Sequence, residues 1–105
     1  MGKLNALGEL NRIVYTLATD VGEIKPRLSK ALKRSFIMDS DFPDDLKSEW
    51  RRLRTEFEKR GPMLNRDGSV YMSADQNTIR RMRKATASKI AERLVDLYFA
   101  LSRKV

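Results

Sequence analysis

The sequence predicts an all-α fold: one domain spanning residues 1–105, built as a four-helix bundle-like arrangement with a long C-terminal helix. Three observations carry this. Apolar residues recur at three- and four-residue steps through most of the chain. The three prolines, Pro26, Pro43 and Pro62, fall where those runs start or stop. The hydrophobic share of 41 % over 105 residues supports one core, and about 65 % of the unfolded surface can be buried at this length without metal or disulfide.

The first helix is read from Leu4, Leu7, Leu10, Val14, Leu17 and Val21, with Gly22 as its stop. A second runs from Glu23 to about Phe36, its inner side carrying Ile24, Leu28, Ala31 and Leu32. Pro26 sits in its first turn, where a missing N–H costs nothing. Asp41 is expected to cap a third helix, with Asp44 and Asp45 at the positive end of its dipole. Leu46, Trp50, Leu53 and Phe57 mark its buried stripe, and Gly61-Pro62 ends it. Residues 61–72 are irregular or briefly extended around the turn Asn65-Arg66-Asp67-Gly68. Ser73 and Gln76 form a capping box that opens the fourth helix, read to about Arg103. Thirty residues would span about 45 Å, longer than its neighbours can cover. One end is therefore expected to project or to pack on another chain. The core is expected from Leu7, Val14 and Leu17, Leu28 and Leu32, the third-helix stripe, and Ile79, Met82, Ile90, Leu97 and Leu101.

Chemistry is limited by what the chain lacks. With no His and no Cys, the usual general base, thiol nucleophile and transition-metal ligands are missing, and disulfides are excluded. The acids Asp39, Asp41, Asp44 and Asp45 read as a helix start rather than a cation site. Asn65 to Val70 imitates the middle of an EF-hand loop, but Met63 and Ala74 occupy the positions of its first and last ligands, so it reads as a turn. Glu49, Arg52, Glu56 and Lys59 read as a self-paired exposed face. No enzymatic activity, cofactor, metal or small-molecule ligand is expected. No apolar run approaches the roughly 18 residues of a membrane span, and a cytoplasmic location is expected.

Charge points instead to partners. There are 22 Lys and Arg against 14 Asp and Glu, a net charge of +8. Residues 1–48 are nearly balanced, whereas residues 61–105 hold 9 bases and 4 acids. Between Asn77 and Ala91 stand five bases and no acid. On a continuous helix, Ile79, Met82, Thr86, Ile90 and Leu97 would face inward and Arg80, Arg81, Lys84 and Ser88 outward. Arg80, Arg81, Arg83 and Lys84 are thus candidates for binding a polyanion, DNA or RNA, without sequence preference. A plainly solvated basic face accounts for the same residues. Further on, Val95 and Phe99 lie away from the inward face, which makes them candidates for an interface with a protein partner or a second copy. The alternative is a central helix wrapped on both sides.

Met82, Ala87, Ile90-Ala91, Arg93-Leu94, Leu97-Tyr98 and Leu101 resemble the C-terminal signature of a group of small helical bacterial proteins without assigned function. Gly22-Glu23-Ile24, Arg27-Leu28, Asp41-Phe42-Pro43-Asp44-Asp45-Leu46 and Gly68-Ser69-Val70 are similar to that group's earlier landmarks, over roughly residues 5–101. The resemblance implies bacterial origin and a shared helical fold, and no activity. Arg83-Lys84-Ala85-Thr86 departs from it, standing where the group tends to be acidic. The leading functional expectation is a non-enzymatic, self-associating interaction or regulatory module. The alternative is a nucleic-acid binder that uses the basic face.

Overall fold

The computed structural model describes residues 2–33 and 35–104. Five helices and one small hairpin follow each other in the order α1 (Gly2–Thr19), α2 (Ile24–Leu32), α3 (Asp44–Glu58), β1 (Met63–Leu64), β2 (Val70–Met72), α4 (Ala74–Arg81) and α5 (Lys84–Ser102), with a 3-10 turn at Asp39–Asp41. The all-α expectation holds. The long fourth helix does not.

That helix breaks at Met82 and Arg83, both extended, with ψ of 164° and 152°. Neither Gly nor Pro forces the break. It resolves the overhang noted above: an unbroken helix would leave its first turns uncovered, whereas the turned segment buries Asn77, Thr78 and Ile79. Thr78 Oγ1 accepts the Arg60 N–H at 3.1 Å and the Asn77 amide donates to the Gly61 carbonyl at 3.0 Å. These bonds fix α4 to the end of α3. The capping box expected at Ser73 is absent, since its side chain makes no cap hydrogen bond.

α5 runs antiparallel to α1. Just past its end Lys104 reaches Asp45 (2.7 Å), near Lys3 of α1, and its first residue, Lys84, reaches Glu23 (2.8 Å), just beyond the end of α1. One flank of α5 faces α3, where Arg93 bridges Glu49 (2.8 Å) and Glu56. Glu49 and Glu56 are therefore held chiefly by another helix rather than by Arg52 and Lys59 on their own.

One hydrophobic cluster draws from all five helices. α1 contributes Ala6, Leu10, Ile13 and Leu17. Its face is rotated from the expected stripe, so Leu4 and Val21 are exposed and Leu7 and Val14 half-buried. Small residues make the difference: Ala6 on α1 and Ala87 and Ala91 on α5 bury fully or nearly so, which lets helices approach closely. With its own start at Lys84, α5 takes its phase from Ala87, Ile90, Ala91 and Leu94, leaving Thr86 exposed instead of inward. Leu46 and Met82 sit at the margin of the cluster.

α2 stops at Leu32, short of the expected end near Phe36, because the following chain must cross the cluster to bury Ile37 and Phe42. Gly22, at φ +108°, supplies the left-handed residue that separates α1 from α2. Asp41 does not cap α3. Its buried carboxylate accepts the Met38 N–H and the Asn5 amide, both at 2.9 Å, and ties the 3-10 turn to α1. Burial pushes this carboxyl upward, but those hydrogen bonds outweigh it and hold the acid below its ordinary value. A lowered folded value means the stabilisation is present above the unfolded value of 3.8 and is lost as pH falls through the folded one. Asp41→Ala should cost about 1.5–3 kcal/mol near neutrality. The melting-temperature gap to wild type should be full at pH 6 and narrow below about pH 4; a gap constant down to pH 2.5 would refute this role.

Candidate functional site

Two surfaces emerge at the positions singled out by sequence, and both differ from expectation. The first is the basic segment. Arg80 and Arg81 end α4, Arg83 lies in the extended linker, and Lys84 opens α5. The break divides what a continuous helix would have aligned. Lys84 is paired with Glu23 at 2.8 Å, and that hydrogen-bonded contact holds the Glu23 carboxyl below its usual range. Arg81 Nε donates to Asn77 Oδ1 at 3.2 Å. Arg80 lies against the hairpin, its guanidinium 3.8 Å from Met63 Sδ, and its carbonyl accepts from Lys25 Nζ at 2.8 Å. No carboxylate of the described residues pairs with Arg80, Arg81 or Arg83.

The hairpin brings a residue that the sequence reading left aside. Met63 pairs with Met72, so Arg80 against Met63 lies next to β2, whose Tyr71 is 66 % exposed. The Asn65–Ser69 turn that joins the strands is closed by the Asn65 N–H on the Ser69 carbonyl at 2.8 Å. Asp67 accepts from the Ser69 N–H and hydroxyl, and these two bonds lower its carboxyl. Gly68 takes φ +90° there. The signal for Tyr71 was available: Val70-Tyr71-Met72 after a Gly turn is a short strand, and alternation puts its central residue on the outer face.

The second surface lies along α1 and α5. Arg93, Leu97 and Ala100 line the α3 side of α5, so the opposite flank, with Val95, Tyr98 and Ser102, turns toward α1. Phe99 lies just outside that flank, 51 % exposed and edge-on to Tyr98 at 5.3 Å. Val95 is half-buried. On α1, Asn5, Glu9 and Arg12 face α2 and the connection after it: Glu9 accepts the Phe36 N–H, and Arg12 reaches the Lys33 carbonyl. That leaves Leu4, Leu7, Asn11, Val14, Tyr15 and Ala18 on the outer side and the α5 flank. Leu4 is 71 % and Tyr15 67 % exposed. In a chain with 34 % charged residues, this side of α1 carries none beyond Lys3 at its start. Sequence reading placed Leu4 on the inward stripe of the first helix and Val14 in the core, and missed Tyr15. The clue was that Leu4, Asn11, Tyr15 and Ala18 repeat at helical spacing without charge.

The acids of residues 39–45 are dispersed among separate partners. Asp39 takes Arg51 (2.8 Å) and Arg54 (3.0 Å), Asp44 takes Lys47 and Asp45 takes Lys104. Among the described residues no three His, Cys, Asp or Glu are grouped as metal ligands. No helix among them is long and apolar enough to cross a membrane. Comparison with protein-family models, curated proteins and solved structures gives no match to this chain.

Proposed function

We propose that the chain is a non-enzymatic interaction module that associates with a second copy of itself through the outer faces of α1 and α5. The observation that carries this reading is the uncharged strip of Leu4, Asn11 and Tyr15 beside Val95 and Phe99. Two copies that each bear +8 repel, and they approach best where charge is sparse, as on this side of α1, with exposed Glu92 at the α5 rim. The strip is self-complementary by composition, as a two-fold contact requires. With 18 residues, α1 is about 27 Å long. Beside α5 it offers a footprint on the order of 500 Å² per copy, near the lower bound for a specific interface when both copies are counted.

Because the chain contains no Cys, single thiols report the contact cleanly. Tyr15→Cys and Phe99→Cys, treated with a short bifunctional maleimide, should give cross-linked dimers. Thr55→Cys, on the exposed side of α3, should give few. Equal cross-linking at all three positions would rule out a specific α1/α5 contact.

A second reading is favoured by the cations Arg80, Arg81 and Arg83, none paired with a carboxylate of the described residues, and by exposed Tyr71 on the hairpin that Arg80 touches: non-specific binding of single-stranded nucleic acid, with cations on phosphates and the tyrosine ring under a base. Three phosphate contacts give a log–log salt slope of about −2 to −3. Fluorescence anisotropy with a labelled oligonucleotide should show that slope. It should flatten in an Arg80→Ala/Arg81→Ala/Arg83→Ala variant, and Tyr71→Ala should weaken binding about 10-fold. Affinity insensitive to both changes would discard this reading.

A further inference from the structure

A cleft of about 540 Å³ lies between the first turn of α2, the end of β2 and α4, with the start of α5 at its rim. Its volume is in the range of small-ligand sites. Pro26 and Met72 supply an apolar wall with buried Ile79 beneath it, and Ser29 and Gln76 offer polar side chains along it. Lys25, Arg80 and Lys84 converge on it against one acid, Glu23. The three cations are not equally committed. Lys25 is held by the Arg80 carbonyl and Lys84 by Glu23. Among the described residues, the guanidinium of Arg80 meets only a thioether sulfur, a weak acceptor that neutralises nothing.

We infer that this cleft binds a small organic anion with an apolar body, its carboxylate or phosphate held by Arg80 and Lys84 and its hydrocarbon part laid on Pro26 and Met72, over Ile79. An anionic head would engage a planar, permanently charged donor that lacks a carboxylate partner among the described residues. It would also compete with Glu23 for Lys84. The Glu23–Lys84 pair is exposed on both sides, so displacing it costs little. The apolar wall selects against inorganic anions, which gain nothing there. This inference involves different residues from the α1/α5 contact, sharing with it only the first turn of α5, and stands apart from it.

Octanoate and octyl phosphate serve as probes, octyltrimethylammonium as the cationic control, and the methyl resonances of Met72 and Ile79 as the readout. Saturable shifts are expected at those methyls with at least one anion and not with the cation; which anion binds more tightly identifies the head group. Arg80→Ala and Lys84→Ala should each weaken binding about 5- to 10-fold. Glu23→Gln, which frees Lys84 and removes a like charge, should tighten it several-fold. Phe99→Asp should leave it unchanged. Saturable binding by neither anion up to about 5 mM, a weak affinity near 3 kcal/mol, would overturn the inference. Equal binding of the cation, or affinities indifferent to Arg80→Ala and Lys84→Ala in variants that melt like wild type, would do the same.

Discussion

Trp50→Ala is expected to destabilise the fold by about 3–5 kcal/mol, the largest effect of any single substitution considered for this chain. Trp50 is 2 % exposed. It stacks on Phe42 at 5.4 Å and meets the edge of Phe57 at 6.0 Å. Phe42 belongs to the irregular connection between α2 and α3, so the indole joins buried Ile37 and the Asp41–Asn5 bond in holding that connection to the body of the fold. Removing it forfeits the transfer free energy of a large side chain, leaves a cavity and frees Phe42. Domains of this size are stable by only about 5–15 kcal/mol, so a large fraction of the total is lost. Thermal unfolding should show a fall of more than about 12 °C. Trp50→Phe, which keeps an aromatic partner for Phe42, should lose much less. A fall below 5 °C for Trp50→Ala would mean that the aromatic trio is peripheral to stability.

Phe99→Asp is expected to weaken self-association about 100-fold or more while leaving the subunit folded. The ring points outward and touches Tyr98 rather than the buried cluster, so a carboxylate there remains solvated in the free subunit. In a two-fold contact each copy would bring its new charge into an apolar strip, and the desolvation cost enters twice. At about 1.4 kcal/mol per tenfold, the penalty needed is near 3 kcal/mol, modest for burying two unpaired carboxylates. Tyr15→Asp should act in the same direction. Light scattering of the variant at the concentration where wild type associates is the measurement. Association undiminished in both variants, with melting temperatures unchanged, would place the contact elsewhere on the surface.

The helical elements were legible because burial and helix period agree in them. Trp50, Leu53 and Phe57 on α3 and Leu28 and Leu32 on α2 lie where their spacing puts them. The α4–α5 break was not legible. Every residue from Ala74 to Ser102 tolerates a helix, and the deciding groups, Gly61 and Arg60 receiving Asn77 and Thr78, are remote in sequence. The buried alanines escaped for a related reason. Ala6, Ala87 and Ala91 carry little hydrophobic signal and become core only where helices come close. Of the candidate surface residues, Phe99 could be singled out because no charge or polar partner accounts for it. Tyr15 was marked only by the uncharged helical repeat around it, because its exposure depends on the rotation of α1, which Ala6 and Ile13 set. Arg80 and Lys84 were visible as cations, but their joining Lys25 and Glu23 around one cleft depends on the turn at Met82–Arg83.

Sedimentation equilibrium of the wild-type chain across about 1–100 μM, at low and at roughly 0.3 M salt, tests the central claim most directly. The apparent mass should rise from 12.2 kDa toward twice that value as concentration increases. The rise should come at lower concentration in the higher salt, because screening weakens repulsion between the +8 subunits while the apolar strip is untouched. A mass fixed at 12.2 kDa over the whole range in both buffers would contradict it.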